Sequence, residues 1–255
     1  DFASLYPSIM RRFNMDHATK AARVCEEEVR GLDRGCVVVD GQLGRHVWVS
    51  QHLRVGTMTR VLTDLGKMRK EAQAKMKAAK EKFLSTTEET ERASLKTTIS
   101  NEDGVQNSIK VLMNSLYGAC GAQRGIYAMP QLAESVTAQG RAMIQRCIDN
   151  AQLFVTDVGG VDVGFEVLYG DTDSIMVRRK PSGRVAWPPD ATKEAVFGRF
   201  ETAATRLAEH LSSLFGDTSV VRMEMEKVYV RFLLFGKKKY IGLKGQVVKG
   251  ALVTE

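Results

Sequence analysis

From about Val55 onward, apolar residues set the pattern of the chain: Val61, Leu65, Met68, Ala72, Met76, Ala79 and Phe83 recur at spacings of three and four. That period puts them on one face of a long helix. Lys67, Arg69, Lys70, Lys75, Lys77, Lys80 and Lys82 surround the stripe. The helix is predicted to end near Ser85-Thr86-Thr87. A second should run from the Glu88 region to Tyr117, with a break where the helix-poor residues Asn101-Glu102-Asp103-Gly104 cluster. Two long helices joined by a short polar link form an antiparallel hairpin. On the second helix, at about 100° per residue, Lys110, Asn114 and Tyr117 share one face and Ile109, Leu112 and Leu116 the opposite one. The apolar face can pack on the first helix. The other then exposes a cation, an amide and an aromatic ring in a column that suits a nucleotide, although an ordinary polar helix face has the same spacing. Gly118 and Gly121 would allow close approach of another backbone.

The remaining segments are mixed. Asp1 to Tyr6 reads as a buried strand, followed by a turn at Pro7-Ser8-Ile9-Met10 into a short helix. Cys36 to Asp40 and His46 to Val49, joined through Gly41, read as a small hairpin. Pro130 to about Leu153 reads as a helix with Leu132, Val136, Met143, Cys147 and Ala151 inward. Another helix spans about Thr192 to Leu214 with Phe200, Ala204, Leu207, Leu211 and Leu214 inward. A loop precedes it at residues 180–189, and β-type runs close the chain at Val220–Leu234 and Lys239–Val248.

A second constraint is chemical. The apolar-leaning run from Val161 leads into Tyr169-Gly170-Asp171-Thr172-Asp173-Ser174, and Ile175-Met176-Val177 leads out. This predicts two strands closed by a tight turn, with Gly and Asp supplying the unusual backbone angles. Two carboxylates one residue apart repel each other, so the tip is poor for stability and good for a hard divalent cation. A solvated turn that is simply rich in Asp is the competing reading. The net charge of +7 and the pI near 9.2 point to an anionic partner, nucleic acid first, with a membrane surface or ribosomal neighbour compatible with charge alone. Cys25, Cys36, Cys120 and Cys147 are widely spaced and read as reduced thiols of an intracellular protein, not as disulfides or a zinc site. No apolar run approaches the length of a membrane span. There is no G-x-x-x-x-G-K-[ST] stretch, which excludes a P-loop ATPase.

Four motifs stand in one order: Asp1-Phe2-Ala3-Ser4-Leu5-Tyr6-Pro7-Ser8, Lys110-Val-Leu-Met-Asn114-Ser-Leu-Tyr117-Gly118, Tyr169-Gly-Asp171-Thr-Asp173-Ser174, and Glu226-Lys227-Val228-Tyr229 with Lys237-Lys238-Lys239-Tyr240. Together they closely resemble the catalytic core of family B, or alpha-like, DNA polymerases, from the first residue almost to the last. The opening motif is most similar to polymerases of herpesviruses and other large DNA viruses, with cellular delta-type enzymes also close. The chain has no initiator Met and opens inside a predicted strand, so it is read as a piece of something longer.

The resemblance implies an α+β fold. Residues 1–52 and 126–255 would be the palm, an antiparallel sheet with packed helices, and residues 53–125 the helical-hairpin fingers. The exonuclease, amino-terminal and thumb parts would lie outside this piece. It also implies roles. Asp1 and Asp173 would bridge two Mg2+ ions, with Asp171 a supporting carboxylate and the Phe2 carbonyl completing a shell. Backbone N–H groups around Ser4 and Leu5 would cradle the β/γ-phosphates, and Tyr6 would exclude a 2′-hydroxyl. Arg69 and Lys110 would grip the triphosphate, Asn114 would help hold it, and Tyr117 with Gly118 would line the nascent base pair. Gln73 stands where the family commonly has a Lys, with Lys75 or Lys70 to compensate. Lys238, Lys239 and Tyr240 would hold the primer strand. Primer–template DNA and a dNTP are the implied partners, a processivity factor would act through regions outside the piece, and no membrane is involved. The implied place of action is the nucleus, or the host nucleus for a viral enzyme. A catalytically decayed relative that binds DNA structurally, and a two-metal nuclease, are the alternatives. Intact Asp1, Asp171, Asp173, Lys110 and Tyr6 argue against the first, and a sugar gate beside a Lys/Asn column has no use in the second.

Overall fold

A computed structural model describes residues 1–21, 36–180, 191–248 and 250–254. Cys25 and the predicted loop at residues 181–189 lie outside them, and residue 180 ends the described run. Helices and three small antiparallel sheets make the chain α+β. It divides into two compact units, Tyr6–Gln139 and a second built from Asp1–Leu5 with Gly140–Glu255.

The first unit holds helix α1 (Leu5–Arg12) from Tyr6 onward, the hairpin β1 (Cys36–Gly41) and β2 (Gly44–Val49), and the long helices α2 (Thr57–Ser85) and α3 (Glu89–Cys120). Helix α4 (Pro130–Leu153) begins there and runs on into the second unit. Beside buried Thr59 and Cys120, one series on each helix is buried or half-buried throughout: Met58, Leu62, Leu65, Arg69, Ala72, Met76, Ala79 and Phe83 on α2, and Arg92, Leu95, Ile99, Glu102, Gln106, Ile109, Met113 and Leu116 on α3. Both series alternate steps of three and four without a gap, the 3.5-residue repeat of a coiled-coil seam.

Several expectations are corrected by the structure. Val61 (43% exposed) and Met68 (53%) lie outside the seam, with Leu62 and Arg69 in their places, and Leu112 (49%) yields to Met113. No break occurs at residues 101–104, because Glu102 sits in the seam and Asp103 accepts a hydrogen bond from Gln106 Nε2 at 3.0 Å. The chain does not open in a strand that continues to Tyr6, since α1 already begins at Leu5, with Pro7 in its first turn. A Cβ on Gly118 would meet open space and one on Gly121 only ordinary contacts, so neither glycine is required by a neighbouring backbone. The link between α2 and α3 is closed by Arg92. Its Nη1 donates to the carbonyls of Phe83 (3.2 Å) and Thr86 (3.0 Å), and its guanidinium lies over the Phe83 ring at 4.2 Å. A cation there also answers the negative end of the α2 dipole.

At the base of the pair, fully buried Asn14 organises three segments. Its Nδ2 donates to the carbonyls of Val49 (2.6 Å) and Arg54 (2.7 Å), and its Oδ1 accepts the Gly56 N–H at 2.9 Å. Asp16 accepts the Met58 N–H, so α2 receives its N-terminal partner from a residue far away in sequence. A Cβ on Gly56 would lie 2.6 Å from the Asp16 Cβ, which leaves room there for glycine alone. The hairpin docks on α4 through Trp48 Nε1, which donates to Ser135 Oγ at 3.1 Å, and through Glu134, which meets His46 Nε2 at 2.9 Å and the Leu43 N–H at 3.0 Å.

The second unit contains a sheet of β3 (Val155–Asp157), β4 (Asp162–Asp171) and β5 (Ser174–Arg179) in order β3-β4-β5. Helix α5 (Lys193–Ser213) and a second sheet, β6 (Val228–Gly236), β7 (Lys239–Val248) and β8 (Ala251–Thr254), complete it. Thr192 caps α5 by accepting the Ala195 N–H at 3.2 Å. Phe197, Ala204, Leu207 and Leu211 of that helix are buried with Val163, Phe165, Val221 and Met223. Phe200 and Leu214, expected inward, are only half-buried. The predicted strand Val220–Leu234 is shorter than expected and begins at Val228, because Arg222–Glu224 pair instead with the opening residues of the chain.

Replacing Asn14 with Ala would leave the Gly56 N–H and two carbonyls without partners. At about 1–3 kcal/mol for an unsatisfied buried group, denaturant unfolding of the full-length protein should show the first unit losing about 2–3 kcal/mol at an unchanged m-value.

Candidate functional site

The predicted site residues fall into two sets, one in each unit. In the second unit, Phe2 N–H donates to the carbonyl of Asp173 at 2.7 Å, Ala3 N–H to Arg222 at 2.9 Å, and Glu224 N–H to Asp1 at 2.8 Å. The opening residues are therefore held between the β4–β5 turn and the segment before β6. Phe2 is buried, with its ring 5.6 Å from that of Phe215. This brings Asp1 beside Asp173 through the backbone of the next residue. Asp1 Oδ1 is buried and has no hydrogen-bond partner. Among the described residues, no three His, Cys, Asp or Glu side chains converge to hold a metal ion.

The turn Asp171-Thr172-Asp173-Ser174 closes β4 and β5, with Asp171 paired to Ser174. Its positive φ (54°) falls on Thr172, not on the Gly or Asp expected to carry it. A β-branched residue in that region is strained, and such strain persists only where surroundings impose it. Asp173 N–H donates to the Asp171 carbonyl at 2.6 Å and Ser174 Oγ to the same oxygen at 3.2 Å, and these bonds hold the tip. Behind it, a Cβ on Gly170 would lie 3.4 Å from Ile148 Cδ1 of α4. Asp171 is not free: Oδ1 accepts from Thr172 Oγ1 at 3.1 Å and Oδ2 lies 3.5 Å from Lys238 Nζ. Lys238 occupies the β6–β7 turn with φ 62°, and its N–H donates to the Tyr169 hydroxyl at 2.9 Å. Lys239 and Tyr240 follow in β7, both exposed, with the Tyr240 ring 5.3 Å from Phe232. Ser4 (φ 57°) and Leu5 form the turn that opens α1.

In the first unit, Lys110 and Asn114 are exposed on one face of α3. The ring of Tyr117, a turn further on, lies 4.3 Å from that of Tyr6 at 30°. Burial, and then the neighbouring Tyr6, push the Tyr117 phenol above its ordinary range. Gly118 is exposed beside it. Arg69 departs from the expected surface grip. It lies in the seam, half-buried, and its Nε donates to Gln106 Oε1 at 3.3 Å. Gln106 in turn donates to Asp103 and Asn107, so a polar chain fixes the guanidinium one turn from Lys110. Gln106 and Tyr169 were not among the expected site residues. The first stands a helical turn before Lys110 and could have been found by extending the Lys110–Asn114 series backwards. The second was in the quoted motif, but its partner is 69 residues away and no local pattern announces it.

A family model described as DNA polymerase family B matches residues 1–252. The chain belongs to that family. It is similar to the DNA polymerase delta catalytic subunit of Arabidopsis thaliana, with 35% identity over 95% of this chain and 19% of that protein. The corresponding subunit of Drosophila melanogaster is 32% identical over 95% of this chain and 20% of the relative. A DNA polymerase of Paramecium bursaria Chlorella virus NY2A is 32% identical over 96% of this chain and 24% of the relative. The chain thus spans about a fifth to a quarter of the length of these family B relatives. No helix among the described residues is long and apolar enough to cross a membrane.

The helix behind the family B carboxylate turn carries Cys147, fully buried, whose thiol is pushed up to about 12 chiefly by burial. Alkylation needs the thiolate. Iodoacetamide at pH 8 followed by peptide mapping should therefore leave Cys147 unmodified in the native protein while half-exposed Cys36 reacts.

Proposed function

We propose that this chain carries the polymerising centre of a DNA-directed DNA polymerase, transferring a nucleotide from a dNTP to a primer 3′-hydroxyl in nuclear DNA replication. The observation that carries the reading is the Phe2–Asp173 backbone bond, which sets Asp1 beside Asp173, together with the buried, unpartnered Asp1 Oδ1. An orphaned anionic oxygen of this kind is costly unless a cation answers it. Asp1 and Asp173 fit Mg2+, which takes one or two carboxylates and completes its shell with water and substrate phosphates in preference to an all-protein cage. The Phe2 carbonyl is proposed as a further oxygen. When bound, two such ions would activate the 3′-hydroxyl and neutralise charge on the phosphates.

The protein's own groups take the remaining work. Residues 1–52 and 126–255 act as palm and residues 53–125, the helix pair, as fingers. Lys110 and Asn114 bind triphosphate oxygens from an exposed helix face, and Arg69, steadied by Gln106, adds charge from the seam. N–H groups at Ser4 and Leu5, where α1 opens, face phosphate. Tyr6, whose ring packs at a tilt against that of Tyr117, rejects a 2′-hydroxyl by bulk; Gly118 leaves open space for the base pair. Lys238, Lys239 and Tyr240 hold the primer, the lysines through phosphate contacts that give salt-dependent, sequence-independent affinity. A processivity factor would bind outside this chain. The likeness to plant and insect delta subunits and to a viral enzyme is of similar degree, so both cellular and viral origin accord with the role.

In the full-length protein, Asp173→Ala should reduce primer extension at least about a thousandfold with primer–template affinity within about threefold; retained extension would refute the role. Tyr6→Val should raise ribonucleotide incorporation at least about tenfold, about 1.4 kcal/mol of lost discrimination, in a sugar-competition assay, and unchanged selectivity would remove the gate.

A further inference from the structure

We infer that the Tyr169 hydroxyl is a positioning latch that sets the Lys238 ammonium against the carboxylate turn, an inference that rests on the polymerase reading for its catalytic consequence. The β4 ladder slips between Val167 and Tyr169, a bulge of the kind that re-aims a side chain. Beyond it, the Tyr169 hydroxyl accepts the Lys238 N–H at 2.9 Å. Lys237 and Lys238 span the β6–β7 turn, since Gly236 pairs with Lys239, and this turn is exposed. Lys238 has φ 62°, a backbone region uncommon for a residue other than glycine.

The ammonium alone cannot impose that state. Its contact to Asp171 Oδ2 is 3.5 Å long and the lysine side chain is 64% exposed. Exposed pairs of this kind contribute little. The hydroxyl-to-backbone bond is shorter, directional and independent of the side chain at position 238. It ties the primer-holding turn to the strand that ends in Asp171. The geometry therefore assigns a division of labour. Lys238 answers Asp171, while Asp1 Oδ1 keeps no protein partner. Asp171 then acts through the lysine, and Tyr169 acts through both.

Two variants of the full-length protein separate the bond from the charge. Tyr169→Phe removes only the hydroxyl. Lys238→Gly keeps the amide and tolerates positive φ, but removes the ammonium. Tyr169→Phe should lower kcat for primer extension about three- to tenfold with the KM for dNTP within twofold. In the Lys238→Gly background the same change should cost less than twofold, because nothing is left to position. A full-sized effect in that background, or a raised dNTP KM at unchanged kcat, would overturn the latch. Amide exchange gives a readout that needs no activity. Tyr169→Phe should speed exchange at the Lys238 amide at least tenfold while the β4–β5 amides keep their protection, and unchanged exchange would overturn the latch as well. A wild-type protein that extends no primer would sink the polymerase reading, and the exchange result would still decide the latch.

Discussion

The hydrogen bond from Phe2 to the Asp173 carbonyl, 2.7 Å long, joins residues 171 apart in sequence, and the arrangement of the sheet-bearing unit follows from it. An N–H donor buried with Phe2 must find an acceptor. The carbonyl it finds belongs to a turn strained at Thr172 and braced by the Asp173 and Ser174 bonds to the Asp171 carbonyl. The other edge of the opening segment pairs with Arg222 and Glu224, which accounts for the late start of β6. One short ladder thus decides where two carboxylates stand and where the following strand can begin. Because its members are backbone groups, the placement does not depend on side chains that ligand binding would redirect.

The helix pair solves a different problem. Two helices of this length cannot be held by a connection at one end, and the uninterrupted 3.5-residue repeat supplies contact along them. The repeat is not wholly apolar. Arg69 and Gln106 form a polar layer whose members hydrogen-bond each other and reach Asp103. Polar layers weaken a seam while fixing its register. A shift of either helix would leave the guanidinium without the amide and would also move Lys110 and Asn114, which project outside the seam. The register of the pair and the position of Lys110 and Asn114 are therefore coupled through one residue pair.

Much of this was legible from local pattern, and the failures have identifiable causes. The stripe of α2 was right at Leu65 and from Ala72 to Phe83 and offset at Val61 and Met68, because an apolar search passes over Arg69 and settles on Met68 instead. On α3 the expected face took Leu112, three residues after Ile109, where the seam steps four to Met113. Low helix propensity at residues 101–104 wrongly predicted a break, since propensity is a weak prior that packing of Glu102 and bonding of Asp103 override. The helix at Pro130–Leu153 was read correctly, each of its five inward residues being buried, because all five are apolar and recur at helical spacing. The juxtaposition of Asp1 with the Asp173 turn came from the order of the family motifs, not from periodicity. Asn14, Asp16 and Tyr169 had no local signal at all: each acts on backbone groups far along the chain.

Backbone strain follows the same division. Among the described residues, four non-glycine positions have positive φ: Ser4, Asn14, Thr172 and Lys238. Asn14 is a residue type that tolerates the region and is fully hydrogen-bonded by its side chain, so structural need explains it. The other three are a serine, a β-branched threonine and a lysine. Each sits in a turn next to a group with a proposed role: the phosphate-facing opening of α1, the carboxylate tip and the primer-holding turn. Glycine would relieve all three at little steric cost, yet it would remove the Thr172 hydroxyl that donates to Asp171 and the ammonium that faces it. At Thr172 and Lys238, then, strain is tolerated where the side chain is needed, and both side chains are spent on the same carboxylate. The protein thereby holds Asp171 in place from two directions while Asp1 Oδ1 remains without a protein partner. That asymmetry accords with the proposed role of Asp171 as a supporting carboxylate beside Asp1 and Asp173.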